Sequence, residues 1–225
     1  MKNQTEDRER RRTTLTRILP LAGVAYAALI IAGDLTIGEF PGSDTSLPEL
    51  SRYFAAHSSQ VQTGGELMIW GGLALGLFGI AVWARVREAA GPPVVAGLML
   101  IGTAVAVVSE LIGAGSYVTL GSIGANPDVT PEALQAWHVG SQFGGGGGTL
   151  LTLGLFAAGV FTRAVPGWLA WSALVLGIAE VTPYGFLASM LVLLWTAVAG
   201  IVLTVRSNDQ VPTRVGVGVA NPGRA

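Results

Sequence analysis

Six stretches of the chain, about 18–36, 66–86, 93–118, 137–161, 167–183 and 186–205, are long enough and apolar enough to cross a lipid bilayer. Crossing the hydrocarbon layer takes roughly 17 to 25 mostly apolar residues in a helix. In lipid a backbone must satisfy its own hydrogen bonds, which an α-helix does within one segment. A soluble core has no use for this much apolar sequence: 51% of the 225 residues are hydrophobic and 12% charged, against roughly 25% charged in a typical soluble domain. The expected fold is all-α, a polytopic membrane protein of six transmembrane helices.

The placement of charge sets the expected orientation. With a cytoplasmic N-terminus and six spans, the inner segments hold Lys2, Arg8, Arg10, Arg11, Arg12, Arg17, Arg85, Arg87, Arg163, Arg206, Arg214 and Arg224, and only Arg52 falls outside. Twelve to one is a strong positive-inside bias, so both termini are expected in the cytoplasm of a multi-pass cell-membrane protein. The tripeptide Ala25-Tyr26-Ala27 has the small residues of a signal-peptidase site. Cleavage there would leave six apolar residues before Asp34, so an uncleaved first helix is expected. Residues 1–16 and 207–225 lack apolar periodicity and are expected to be disordered cytoplasmic tails around a transmembrane domain at 17–206. The absence of cysteine excludes a disulfide frame, a thiolate metal site and a cysteine nucleophile. A net charge of −1 offers no surface for nucleic acid.

Internal similarity suggests how the spans are organised. LGLFGIAVWAR at 75–85 matches LGLFAAGVFTR at 153–163, and SLPELSRYFAAHSSQ at 46–60 parallels VTPEALQAWHVGSQ at 129–142. Three ascending helices begin near a proline and meet an acid near their outer end: Pro20 and Asp34, Pro93 and Glu110, Pro166 and Glu180. Three related hairpins follow, at about 17–87, 92–163 and 166–206. Ser46 and Glu49 have capping-box spacing ahead of Leu47, Leu50 and Phe54, which predicts a short outer surface helix near 47–60. Thr130 and Pro131 open a helix read as running directly into the fourth span.

Ionisable residues within spans are the functional candidates, because a charge at the bilayer centre costs at least a few kcal/mol. Asp34, Glu66, Glu110, His138 and Glu180 all fall toward the outer side, with Gln142, Tyr117 and Tyr184 as hydrogen-bonding partners. They are expected to form an outward-facing polar pocket centred on Glu110. Carboxylates clustered in low dielectric shift one another's protonation or bind a cation. The competing reading puts Asp34, Glu66, His138 and Glu180 at helix ends in the headgroup layer. Glu110 is flanked on both sides by apolar sequence and fits that reading least.

Enzyme and cofactor motifs are missing. The only histidines, His57 and His138, are too far apart for a zincin helix, and no Gly-x-Ser-x-Gly elbow occurs. The tryptophans are read as an interfacial belt. Gly72, Gly76, Gly79, Gly97, Gly102, Gly154 and Gly159 are read as small faces for helix packing.

The run Gly144, Gly145, Gly146, Gly147 and Gly148 ends in Thr149 with no lysine, so it is not a phosphate loop. Leading into apolar sequence, it reads as the narrow side of the fourth helix, where a neighbour or ligand comes close.

The arginine-rich start, LGLFGIAVWARVREAAGP and VPGWLAWSALVLGIAEVTP resemble small six-helix integral membrane proteins of high-GC bacteria, widely uncharacterised. That resemblance implies an inner-membrane topology and transfers no site. Two functions remain: binding or moving a small cation, proton or ligand through the pocket, or a non-catalytic scaffold in the bilayer that packs against a membrane-protein partner or a second copy of the chain.

Overall fold

The protein was analysed as a computed structural model, which describes residues 18–42, 44–89, 91–141, 148–183 and 185–209. The N-terminal tail, most of the C-terminal one, Gln142, Tyr184 and Gly144 to Gly147 lie outside the described residues. The fold is all-helical. Among the described residues a 3-10 turn at Leu19–Leu21 leads into seven α-helices: α1 Ala22–Ile37, α2 Leu47–Glu88, α3 Pro93–Gly124, α4 Pro131–Ser141, α5 Gly148–Thr162, α6 Gly167–Glu180 and α7 Gly185–Asp209. Residues 207–209, expected in the tail, continue α7.

The start of α2 follows the capping-box expectation. The Ser46 hydroxyl donates to Glu49 Oε2 at 2.7 Å, and the Ser46 backbone N–H donates to the same oxygen at 3.4 Å. These bonds hold the exposed Glu49 carboxyl below its usual range. The surface helix expected near 47–60 is not a separate element, however. It is the first part of a single 42-residue helix, about 63 Å long at 1.5 Å per residue and about twice the hydrocarbon thickness. Leu50, Phe54, Val61 and Met68 are all buried along one helical face, so nothing in the packing calls for a break.

α3 runs back along α2 for most of its length. Gly79 sits against Thr103, Gly72 against Leu111, Gly65 against Tyr117 and Val118, and Gly124 against Phe54. Helix four, expected to be continuous from 131, is seen as α4 and α5; residues 142–147, where the two would join, lie outside the described residues.

Among the described residues four helical stretches are long and apolar enough to cross a membrane: Leu19–Ile37, Leu47–Glu88, Pro93–Gly124 and Leu187–Arg206. α5 and α6, at 15 and 14 residues, fall short of that length. Contacts run from α1 to α2, α2 to α3, α3 to α5, α5 to α6, α6 to α7 and α7 back to α1. The apolar helices therefore close a ring, and their outer faces carry large exposed hydrophobics. Trp70, Trp168 and Trp171 are 63%, 57% and 59% exposed, as a lipid-facing surface requires. Trp195 departs from the belt: it is buried, and its indole N–H donates to Ser172 Oγ across the α6–α7 contact at 2.8 Å.

The sequence similarity between 75–85 and 153–163 is matched in burial at some positions, such as Ala81 and Gly159, and not at others. Leu77 is exposed where Leu155 is buried, and Val82 is buried where Val160 is exposed. The first segment packs between α1 and α3, the second between α3 and α6, so matched residues meet different neighbours.

One end of the ring gathers the arginines. Arg85 Nη2 donates to the carbonyl of Leu203 near the end of α7 at 3.0 Å, a favourable place for a cation. The Arg87 guanidinium lies 5.0 Å from the Trp83 ring. Arg163 ends α5 with φ of 56°, a left-handed conformation that costs a residue with a Cβ about 1–2 kcal/mol. Arg163→Gly is expected to stabilise the α5–α6 turn by about 1 kcal/mol, visible as a rise of roughly 2–4 °C in the thermal unfolding midpoint.

Candidate functional site: an acidic cavity inside the helix ring

The ring surrounds a partly open cavity of about 220 Å³, to which each of the seven helices contributes at least one residue. Residues at helical spacing supply its walls. α1 presents Tyr26, Ile30 and Asp34; α3 presents Ala106, Glu110, Ala114 and Tyr117; α7 presents Ser189, Leu193 and Thr196. Each set follows the i, i+4, i+7 or i+8 rhythm of one helical face. Met68 and Leu75 from α2, Ser141 from α4, Gly148 and Leu151 from α5, Glu180 from α6 and Met190 from α7 also line it.

Glu110 is held by a specific partner. The hydroxyl of Tyr26, only 4% exposed, donates to Glu110 Oε1 at 2.9 Å, tying α1 to α3. Glu180, the last residue of α6, accepts from Thr149 Oγ1 at 3.2 Å through Oε2. Its carboxylate lies directly over Gly148, where an added Cβ would collide with it. Asp34 lines the cavity from a more exposed position near the end of α1. Tyr117 and Ser141 both line the cavity as well.

Among the described residues no arginine or lysine lines the cavity. Among the described residues no three His, Asp or Glu side chains converge as metal ligands would. The arrangement can hold positive charge against separate carboxylates and hydroxyls; it lacks a built coordination cage.

Of the candidates read from sequence, Asp34, Glu110, Glu180 and Tyr117 share the cavity. Glu66 does not. It lies in the middle of α2 rather than at a helix start, is exposed, and accepts from Gln62 Nε2 at 3.1 Å. Its neighbours Gly65 and Met68 take the buried face instead. His138 also lies outside the cavity lining, near the end of α4, 2% exposed and with Nε2 3.3 Å from the carbonyl oxygen of Gly42. Its ring packs 5.2 Å from Phe40, whose ring also meets Tyr53, Phe54 and Tyr117. Gln142 and Gly144 to Gly147 are outside the described residues.

Tyr26, Thr149, Ser189 and Thr196 were not read as site residues from sequence. The signal for Tyr26 was available: it sits eight residues before Asp34, two turns along the same face. Thr149 was marked only as the residue that ends the glycine run.

No protein-family model, no curated protein and no solved structure matches this chain.

Proposed function

We propose that the chain is a six-span protein of a bacterial inner membrane, with both termini cytoplasmic, whose cavity takes up a small cation, proton or ligand from the outer side. The orientation is supported by the gathering of Arg85, Arg163 and Arg206 away from Asp34, Glu110 and Glu180 along their helices. One observation carries the function: three carboxylates line a partly open cavity with no basic residue among its described walls. An isolated buried carboxylate is expensive, so the balancing charge comes from a proton or from a bound cation. The scaffold reading has less support, because the glycines at 65, 79, 102, 154 and 159 already meet neighbours within the chain.

The wild-type chain has no cysteine, so a single one reports access directly. Ala114→Cys, on the cavity wall, is expected to react from the outer side with a membrane-impermeant methanethiosulfonate. A cationic reagent should react at least about tenfold faster than an anionic one, the focusing expected of a cleft of one charge sign. Glu110→Gln in the same background should reduce that preference. Labelling only from the cytoplasmic side, or at equal rates for both reagents, would overturn the proposal.

A further inference from the structure

The carboxylates alone leave the kind of cation open; the walls between them narrow it. We infer that the cavity binds a small organic ammonium ion with an apolar body, about the size of benzylammonium. Its charged group sits against Glu110 and Glu180, and its hydrocarbon part against Met68, Leu75 and Met190. The inference rests on the outward-facing pocket proposed above.

A hard metal ion is a poor fit to this chemistry. Calcium takes six to eight oxygen ligands and magnesium a tight octahedron, and among the described residues no three His, Asp or Glu side chains converge on a point. Glu110 and Glu180 are each oriented by a neutral hydroxyl, from Tyr26 and Thr149. An ionised carboxylate has about four acceptor sites, so one hydroxyl leaves capacity for the N–H groups of an ammonium.

A bare proton would not need the space. A cavity of about 220 Å³ exceeds the roughly 150 Å³ of an engineered apolar cavity that admits benzene. It is too small for a long-chain amphiphile. Met68 and Met190 supply flexible, polarisable walls that adapt to a ligand's shape. Tyr26 and Tyr117 supply aromatic rings, which attract a cation over their faces.

The test uses the full chain in lipid nanodiscs. Binding is measured by calorimetry and by thermal stabilisation at matched ionic strength, with benzylammonium, methylammonium, neutral benzyl alcohol, and the chlorides of sodium, potassium, magnesium and zinc. Benzylammonium is expected to bind at least about tenfold more tightly than benzyl alcohol, and Glu110→Gln to remove most of that difference, as the loss of a charge-assisted hydrogen bond should. Ala106→Leu, which fills part of the cavity, guards against a folding defect in the first variant: it should weaken benzylammonium while sparing methylammonium.

Equal binding of alcohol and ammonium would overturn the inference. Stabilisation by a metal ion, or by pH alone, without benzylammonium binding would overturn it while leaving the outward-facing pocket in place. If no probe binds and the cysteine at 114 also shows no charge preference, both readings fail.

Discussion

Gly102→Leu is expected to break the α3–α5 side of the ring. A Cβ at 102 would meet the carbonyl carbon of Leu150 at 2.8 Å and the Cα of Leu151 at 3.0 Å, and the Leu150 carbonyl oxygen closer still. The opposing Gly154 would meet the Cα of Met99 at 3.0 Å. These are main-chain atoms, so no rotamer change relieves the clash and the helices themselves must separate. Overpacking of a well-filled core costs about 1–3 kcal/mol and more when the backbone must move. With roughly 2–4 °C per kcal/mol for a chain of this size, the unfolding midpoint should fall by about 6–12 °C, or the protein should fail to accumulate. Gly97, whose added Cβ meets nothing within 4 Å, is the control: Gly97→Ala should be neutral or stabilising by up to about 1 kcal/mol. Tryptophan fluorescence during thermal unfolding reads both, and equal midpoints for Gly102→Leu and wild type would show that this contact does not hold the ring.

Gly148→Leu should have the opposite character, sparing the fold and damaging the site. A Cβ there would meet Glu180 Oε2 at 2.9 Å and Cδ at 3.0 Å, with Oε1 closer. The obstacle is the free end of a side chain, which swings away at little cost. The carboxylate then leaves Thr149, and the new side chain takes up room in the cavity that Gly148 lines. The unfolding midpoint is expected to stay within about 4 °C of wild type, the equivalent of about 1 kcal/mol. Benzylammonium affinity should fall at least tenfold, about 1.4 kcal/mol. Unchanged affinity in a folded variant would remove Glu180 from the proposed site.

The contrast between these glycines marks the limit of what the sequence could tell. Apolar runs announce helices because lipid admits few other backbones, and the all-helical fold was legible from them. Their extents were less so. Ser46 and Glu49 mark where α2 begins, but a capping box does not say whether the helix lies flat or continues for 42 residues. The buried series Leu50, Phe54, Val61 and Met68 carried that information.

Counting residues from the prolines places Asp34, Glu110 and Glu180 toward one end, and the alternation of the spans adds Glu66 and His138. Which of them faced inward depended on rotation about each helix axis, and each residue turns that by about 100° at 3.6 residues per turn. That is why Glu66 points outward although Gly65 and Met68 are buried. Packing glycines at 102 and 154 look in sequence like the site glycine at 148; only the partner across the gap, backbone or carboxylate, tells them apart.

The uninterrupted α2 also makes the cavity wall and the aromatic cluster around Phe40 neighbours on one rod. Met68 and Leu75 border the cavity, Tyr53 and Phe54 lie against Phe40 toward the rod's far end, and its foot is pinned where Arg85 meets Leu203. A tilt of about 5° about that foot would carry the far end of a helix roughly 63 Å long by about 5 Å. Because Met68 and Leu75 ride on the same helix as Tyr53 and Phe54, any such tilt would displace the cavity wall and the aromatic cluster together.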